Sequence, residues 1–381
     1  MASIAGALAS IKRDALGAID RAATERLCWE LGYDWRDREL DPTTTLALFV
    51  QQVLWGNVPC GEVRHIAAGG ATFTASAYCQ ARARLPLALY QAILTRAIER
   101  ALPHTRADDR LWHGHRVFHV DGSTFSMPDT PELQKAFGQP GGQAKGCGFP
   151  VAHLLVLFHA RTGLLLDAWA SPLRTGDVSQ VMELHAHLND GDVLIGDDAF
   201  SSYVHLALLV RSNLHGLFPV HHRRIVDFAE GRAHTIDGND DTDAAGAPRS
   251  RWIKSLGTDD QLVEYVKPVS SKPPAWISRS DYDALPKTIV VRELRRTVQR
   301  PGGVGKVTLT IVTTLLDPLR YPADELLRLR LRRWDVETDL RHLKITMGMD
   351  GDPGGIPPGT PAALQDRGGR AQGTGGLLPG L

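Results

Sequence analysis

Three acidic positions stand out by what precedes and surrounds them. Asp121 follows the apolar run VFHV and is followed by Gly122 and Ser123; Asp197 follows VLIG. A carboxylate leaving a buried strand stands where α/β sheets place functional groups, although Asp alone there also reads as a turn or cap residue. Glu337 lies in a helical-looking segment with Arg330, Arg333, Arg341 and Lys344, at successive spacings of 3, 4, 4 and 3. That spacing sets all five on one helix face. A solvated, salt-bridged face is the plain account of such charges. A carboxylate among phosphate-binding cations is also what phosphoryl transfer on a nucleic acid requires.

Other groups are weaker candidates. His113, His115 and His119 lie close together in sequence, with Asp121 as a candidate fourth ligand, but no Cys accompanies them and their spacing matches no zinc motif. The acidic run Asp237 to Asp243 lacks the glycine and distal glutamate of a calcium loop and reads as a solvated loop. Trp252 and Trp276 offer rings on which an unpaired base would stack, but packing or a loop position explains them better.

The elements that must position the acids follow from periodicity. Residues 1–110 read as helical, with apolar residues at helical spacing in TLALFVQQVLW and LPLALYQAILTRAIERAL. From Arg116 the texture changes. RVFHVDGSTFSM is β-rich, LLVLFHARTGLLLDAWA reads as two strands joined at Arg161-Thr162-Gly163, and DVLIGDDAF is a short strand ending in carboxylates. SQVMELHAHL and YVHLALLVRSN have helical period, so residues 111–220 and 306–350 predict a mixed α/β unit. Residues 221–305 interrupt it with turn-rich stretches around LVEYVKPV and TIVVREL, which predicts a β-rich insertion. A helix opened by Pro322 and Asp324 follows the strand VTLTIVTTLL, with Leu329, Val336, Leu340 and Leu343 as its apolar stripe.

Composition bounds the rest. With 43% hydrophobic and 23% charged residues, the 381-residue chain has the make-up of an ordinary globular protein. No apolar run reaches the roughly 18 residues of a membrane span. The start reads as an amphipathic helix and not a signal peptide, and four scattered cysteines without a C-x-x-C pair suit a reducing cytoplasm. The net charge of zero argues against a uniformly basic nucleic-acid binder, but seven Arg face three acids between Ala81 and Arg116. Residues 351–381 hold ten Gly and five Pro without hydrophobic period, which predicts a disordered tail.

VDGSTFSMPDT, GDDAFSSY and RRWDVETDLRHLK resemble the three signature regions of DDE transposases of the insertion-sequence-four group. YCQARARLPLALY is similar to the N-terminal region of that group, and the resemblance runs over roughly residues 40 to 350. The last signature is Tyr, two residues, Arg, three residues, Glu, six residues, Lys, matched here at Arg333, Glu337 and Lys344.

The resemblance implies an RNase H-like catalytic core with a β-rich insertion and an N-terminal helical domain that binds transposon ends. It implies Asp121, Asp197 and Glu337 as catalytic ligands of two Mg²⁺ or Mn²⁺ ions, and Arg333 and Lys344 as phosphate-binding groups. The implied reaction is DNA cleavage and strand transfer on terminal inverted repeats and target DNA, by a homodimer in the bacterial cytoplasm at the nucleoid. A metal-dependent nuclease, or a truncated protein that only binds DNA, are the alternatives. Arg330 departs from the Tyr of the pattern, and Asp198 stands where many members have Arg. The abrupt tail predicts a frameshift after Asp350, which the alternative reading frame of the gene would test.

Overall fold

The computed structural model describes residues 19–66, 72–104, 111–142, 148–235, 247–268, 272–299 and 305–332. Five helices come first: α1 (Arg21–Glu30), α2 (Pro42–Leu54), α3 (Val63–Ile66), α4 (Ala75–Arg84) and α5 (Leu87–His104). Asp20, Asp41 and Thr74 cap α1, α2 and α4 by accepting backbone N–H bonds, and Pro42 opens α2. Leu27, Cys28, Leu46, Leu85 and Leu89 form one small core here; Leu48, Val63 and Tyr78 form another.

Two residues of the YCQARARLPLALY segment, one helical turn apart, turn inward. Tyr78 and Arg82 are buried, and both donate to Oε1 of Gln52, at 2.8 and 3.0 Å. Gln52 Nε2 in turn donates to the carbonyl of Val58 at 2.6 Å, closing the loop after α2. Arg82 is therefore a structural cation. Arg116 is similarly engaged, by Asp192. The local excess of arginine overstates what this region offers to a phosphate backbone. Arg82→Ala removes a charged donor from a buried polar network, and is expected to lower stability by about 2–3 kcal/mol in urea unfolding.

The rest is built on one nine-stranded sheet, in the order β3-β2-β1-β4-β5-β9-β8-β7-β6. Its strands are β1 (Val117–Ser126), β2 (Val151–His159), β3 (Leu165–Pro172), β4 (Val193–Ile195), β5 (His215–Pro219), β6 (Ser250–Gly257), β7 (Asp260–Val266), β8 (Thr288–Gln299) and β9 (Lys306–Thr313). The first three form an antiparallel meander, while β4 and β5 run parallel to β1. This is a mixed α/β, RNase H-like core beside an N-terminal helical region. Strands β6 to β8, which lie within residues 221–305, pair edge to edge and join the core sheet through β9. They continue the sheet as one hydrogen-bonded ladder.

Helices cover both faces. Of the remaining ones, α6 (Pro131–Phe137) follows β1, α7 (Val181–His185) and α8 (Tyr203–Arg211) flank β4, α9 (Arg279–Asp283) precedes β8, and α10 (Ala323–Leu331) follows β9. Strand side chains alternate between faces. Phe118, Val120 and Leu194 pack with Leu184 of α7 and Leu206 and Leu209 of α8. Val117, Val193, Ile195 and Leu217 face the other way, onto Leu326, Leu327 and Leu329 of α10. Arg292 on β8 fastens this second layer: buried, it pairs with Asp260 through Nε–Oδ1 at 2.8 Å and donates to the carbonyl of Tyr321, ahead of α10, at 2.7 Å. No helix among the described residues is long and apolar enough to cross a membrane.

Candidate active site

Asp121 does not end its strand, as VFHV predicts. β1 runs on to Ser126 because β2 pairs with it throughout, with Asp121 opposite Val156. The strand that stops is β4. Its three residues pair in parallel with β1, and the last pair is His119 with Ile195. Two residues on from each lie Asp121 and Asp197. Carried on past that last pair, the parallel register would bring the two level, on strands about 4.8 Å apart.

Gly196 supports this alignment. A Cβ placed there would lie 2.9 Å from Cγ1 of Val120 and 2.7 Å from Cδ2 of Phe200, so residue 196 faces the α7–α8 layer beside Val120. By alternation Asp197 turns to the opposite face, the side of Ile195 and α10. Asp121 shares the face of Val117 and His119 by the same parity. Phe200 fills the space that the missing Cβ leaves. Gly196→Ala would overpack this point and is expected to cost about 1–3 kcal/mol in thermal unfolding, with Asp197 displaced along with its turn.

Both acids are half-buried. Asp197 caps a 3₁₀ turn, Asp198–Ser201, its Oδ1 accepting from the backbone N–H of Ala199 at 3.0 Å. Behind Asp121, on the opposite face, the carboxylate of Asp177 packs closely on Gly122, and a Cβ there would push it aside. That carboxylate also holds Nε2 of His153 on β2, at 2.5 Å, and Ser171 Oγ is 3.4 Å from the other ring nitrogen. The Asp177–His153 pair braces the strand next to Asp121. Sequence reading missed both residues, for neither lies in a signature region; the only trace was the glycine after Asp121.

The acid beside Asp197 is held differently. Asp198 Oδ2 lies 3.2 Å from Nδ1 of His222, on the turn after β5. Burial alone would raise its pKa, but the bonds from His222 and the nearby His221 outweigh it, and the carboxyl sits below its ordinary range.

Glu337, Arg333 and Lys344 lie outside the described residues. So do Val336, Leu340, Leu343, Arg341 and the acidic run Asp237 to Asp243, whereas Leu329 is buried as its stripe predicts. The charged-face reading needs one correction: Arg330 is 9% exposed, buried with Leu326, Leu327 and Leu329 against the sheet. The three histidines thought of for zinc are pinned apart. His115 bonds to the carbonyl of Gly191 and the Tyr321 hydroxyl at 2.5 and 2.7 Å, His113 pairs with Glu325 at 2.6 Å, and His119 is buried in the sheet. Trp276 packs against the main core, and Trp252 is half-buried on β6.

Carboxylate oxygens that are half-open to solvent are the donor set that hard divalent cations such as Mg²⁺ or Mn²⁺ prefer. Asp121 and Asp197 fit that requirement.

InsZ of Escherichia coli (strain K12), provisionally named a transposase, is 30% identical over 148 residues, 38% of this chain and 49% of InsZ. The transposase InsG for insertion sequence element IS4, from the same organism, is 25% identical over 272 residues, 71% of this chain and 53% of InsG. The chain thus spans about half the length of the curated relatives it matches. The family model described as "Transposase DDE domain" matches residues 112–351, from just before β1 to beyond α10. With more than half of its residues inside that match, the chain belongs to the DDE-domain transposase family, of the insertion-sequence-four type.

Proposed function

We propose that this chain binds the terminal inverted repeats of an insertion sequence and catalyses metal-dependent DNA cleavage followed by strand transfer. The observation that carries the reading is the parallel register of β1 and β4, whose last pair, His119 with Ile195, lies two residues before Asp121 and Asp197. Glu337 is the third carboxylate, carried over from the signature that also contains Arg333 and Lys344. Helix α10, which leads toward that signature, packs on the face to which both aspartates turn.

In this reading Asp121, Asp197 and Glu337 would hold two divalent cations, whose chemistry there would be activation of the attacking oxygen and stabilisation of the leaving one. Arg333 and Lys344 hold phosphates flanking the scissile bond. Asp121 lies within β1 and Asp197 two residues beyond β4, so the sheet supports both positions. Water oxygen bonds to phosphorus as the bridging bond to the 3′-oxygen breaks, freeing a 3′-hydroxyl. That hydroxyl then attacks a phosphodiester of target DNA, forming one P–O bond as another is released. Joining two ends at once requires two copies of the chain on DNA.

The test is Mg²⁺-dependent nicking of DNA bearing the element's terminal repeats, followed by joining to a second duplex. Nicking and joining are expected. Binding without nicking would make the chain an end-binding protein only, and nicking without joining would make it a nuclease.

A further inference from the structure

One cluster near the paired aspartates is not used by that mechanism. Strands β4 and β5 are parallel and paired up to Ile195 and Leu217, so the loops leaving them emerge side by side. The first brings Asp198; the second brings His221 and His222. One ligand atom from each of the three lies within 4.8 Å of the others, and the residues are half-buried, half-buried and exposed, open to solvent. The histidine turn is anchored: Val220 N–H donates to Thr310 at 3.0 Å, and Arg224 N–H donates to the carbonyl of His221 at 2.8 Å. The two rings stack with centroids 4.2 Å apart.

We propose that Asp198, His221 and His222 form a transition-metal site, separate from the carboxylate site, that takes Zn²⁺ or Co²⁺. Two imidazoles and one carboxylate suit these ions and not Mg²⁺. Bonds of about 2.0–2.1 Å to a tetrahedral ion place ligand atoms roughly 3.4 Å apart. His222 Nδ1 and Asp198 Oδ2, at 3.2 Å, already have that spacing. His221 completes the set by closing a gap of at most 4.8 Å. If it ligates through Nε2, it gives up the 3.2 Å bond that its Nδ1 accepts from the Arg223 N–H. The remaining positions belong to solvent.

Such an ion ties the turn after β4 to the turn after β5, and Asp197 sits in the first of these. It also changes the charge beside Asp197. A carboxylate bearing a divalent cation presents a net positive charge.

The test is titration of the metal-free full-length chain with Co²⁺ in excess Mg²⁺ and without DNA, read by the visible d–d absorption of low-coordinate cobalt. It does not depend on DNA cleavage, so it stands apart from the fate of the transposition reading. One equivalent is expected to bind. His221→Ala and His222→Ala, each checked for native circular dichroism, should weaken binding by at least about 10–100-fold. Asp121→Asn and Asp197→Asn should retain the absorption. Absence of the band in the wild type, its persistence in the His221→Ala/His222→Ala double variant, or its loss in Asp121→Asn would each overturn the proposal.

Discussion

Asp197→Asn is expected to reduce Mg²⁺-dependent nicking by at least about 10³-fold, equivalent to some 4 kcal/mol of transition-state stabilisation, while leaving the fold intact. The two effects separate because Asp197 serves the backbone and the proposed chemistry through different properties. Its Oδ1 caps the Asp198–Ser201 turn by accepting one N–H from Ala199, and an asparagine oxygen accepts that bond equally well. What asparagine lacks is the negative charge that a divalent cation needs. The same holds for Asp121→Asn. Urea unfolding within about 0.5 kcal/mol of wild type, with activity lost, is the predicted pattern. A variant that nicks at even a tenth of the wild-type rate would remove Asp197 from the catalytic set. Asp198→Asn serves as the contrast: it alters the neighbouring acid and should leave far more nicking than Asp197→Asn.

Which parts of this were legible in the sequence follows from how each part is stabilised. VFHV and VLIG announce buried strands because both faces of β1 and β4 are covered, giving unbroken apolar runs. YVHLALLVR announces α8 in the same way. β5 escaped notice: HGLFP is short, holds a glycine and ends in proline, and owes its strand state to its pairing with β4 and β9. β6 escaped too, as its register shifts twice and its burial does not alternate. The strand end assigned to Asp121 was wrong, whereas the β-rich reading of RVFHVDGSTFSM holds, because long-range pairing with β2 carries the strand through to Ser126. His221 and His222 carry no local signal. Their meeting with Asp198 depends on two parallel strands ending together, and only strand order tells that. Arg330 shows the converse, since regular spacing placed it among charges while the folded chain buries it.

Acid should destabilise the protein before its carboxylates titrate as a group, because the core beneath Asp197 contains a pair of neutral histidines. Burial lowers the pKa of His185 to about 4 and that of His205 to about 3, from 6.5. Their Nε2 atoms are 3.1 Å apart, and Nδ1 of His205 is 2.7 Å from the carbonyl of Phe200. The carbonyl can only accept, so His205 donates from Nδ1 and receives at Nε2 the proton of His185. Two protonated rings cannot share this contact. Because the folded pKa values lie below the unfolded one, the neutral pair favours the fold fully above pH 6.5. That stability is lost as the pH falls from there toward 4, where the unfolded chain binds protons that the folded chain refuses. Each histidine contributes up to ~1.4 kcal/mol per pH unit, so two units of acid remove on the order of 3–5 kcal/mol, a large fraction of a typical stability. Glu293, whose buried carboxyl is raised, works in the opposite direction, taking up its proton earlier in the folded state and offsetting part of the loss. The expected result is a melting temperature at pH 5 lower than at pH 7 by roughly 5–15 °C. His215, which burial lowers to about 4, adds in the same direction, so in His205→Gln, which keeps a donor for Phe200, about a third of that slope should vanish. Since Phe200 fills the space under Gly196, the turn that carries Asp197 should loosen along with the pair, and nicking should fall over the same pH range. A melting temperature that does not move between pH 7 and pH 5 would show that the histidine pair does not govern acid stability.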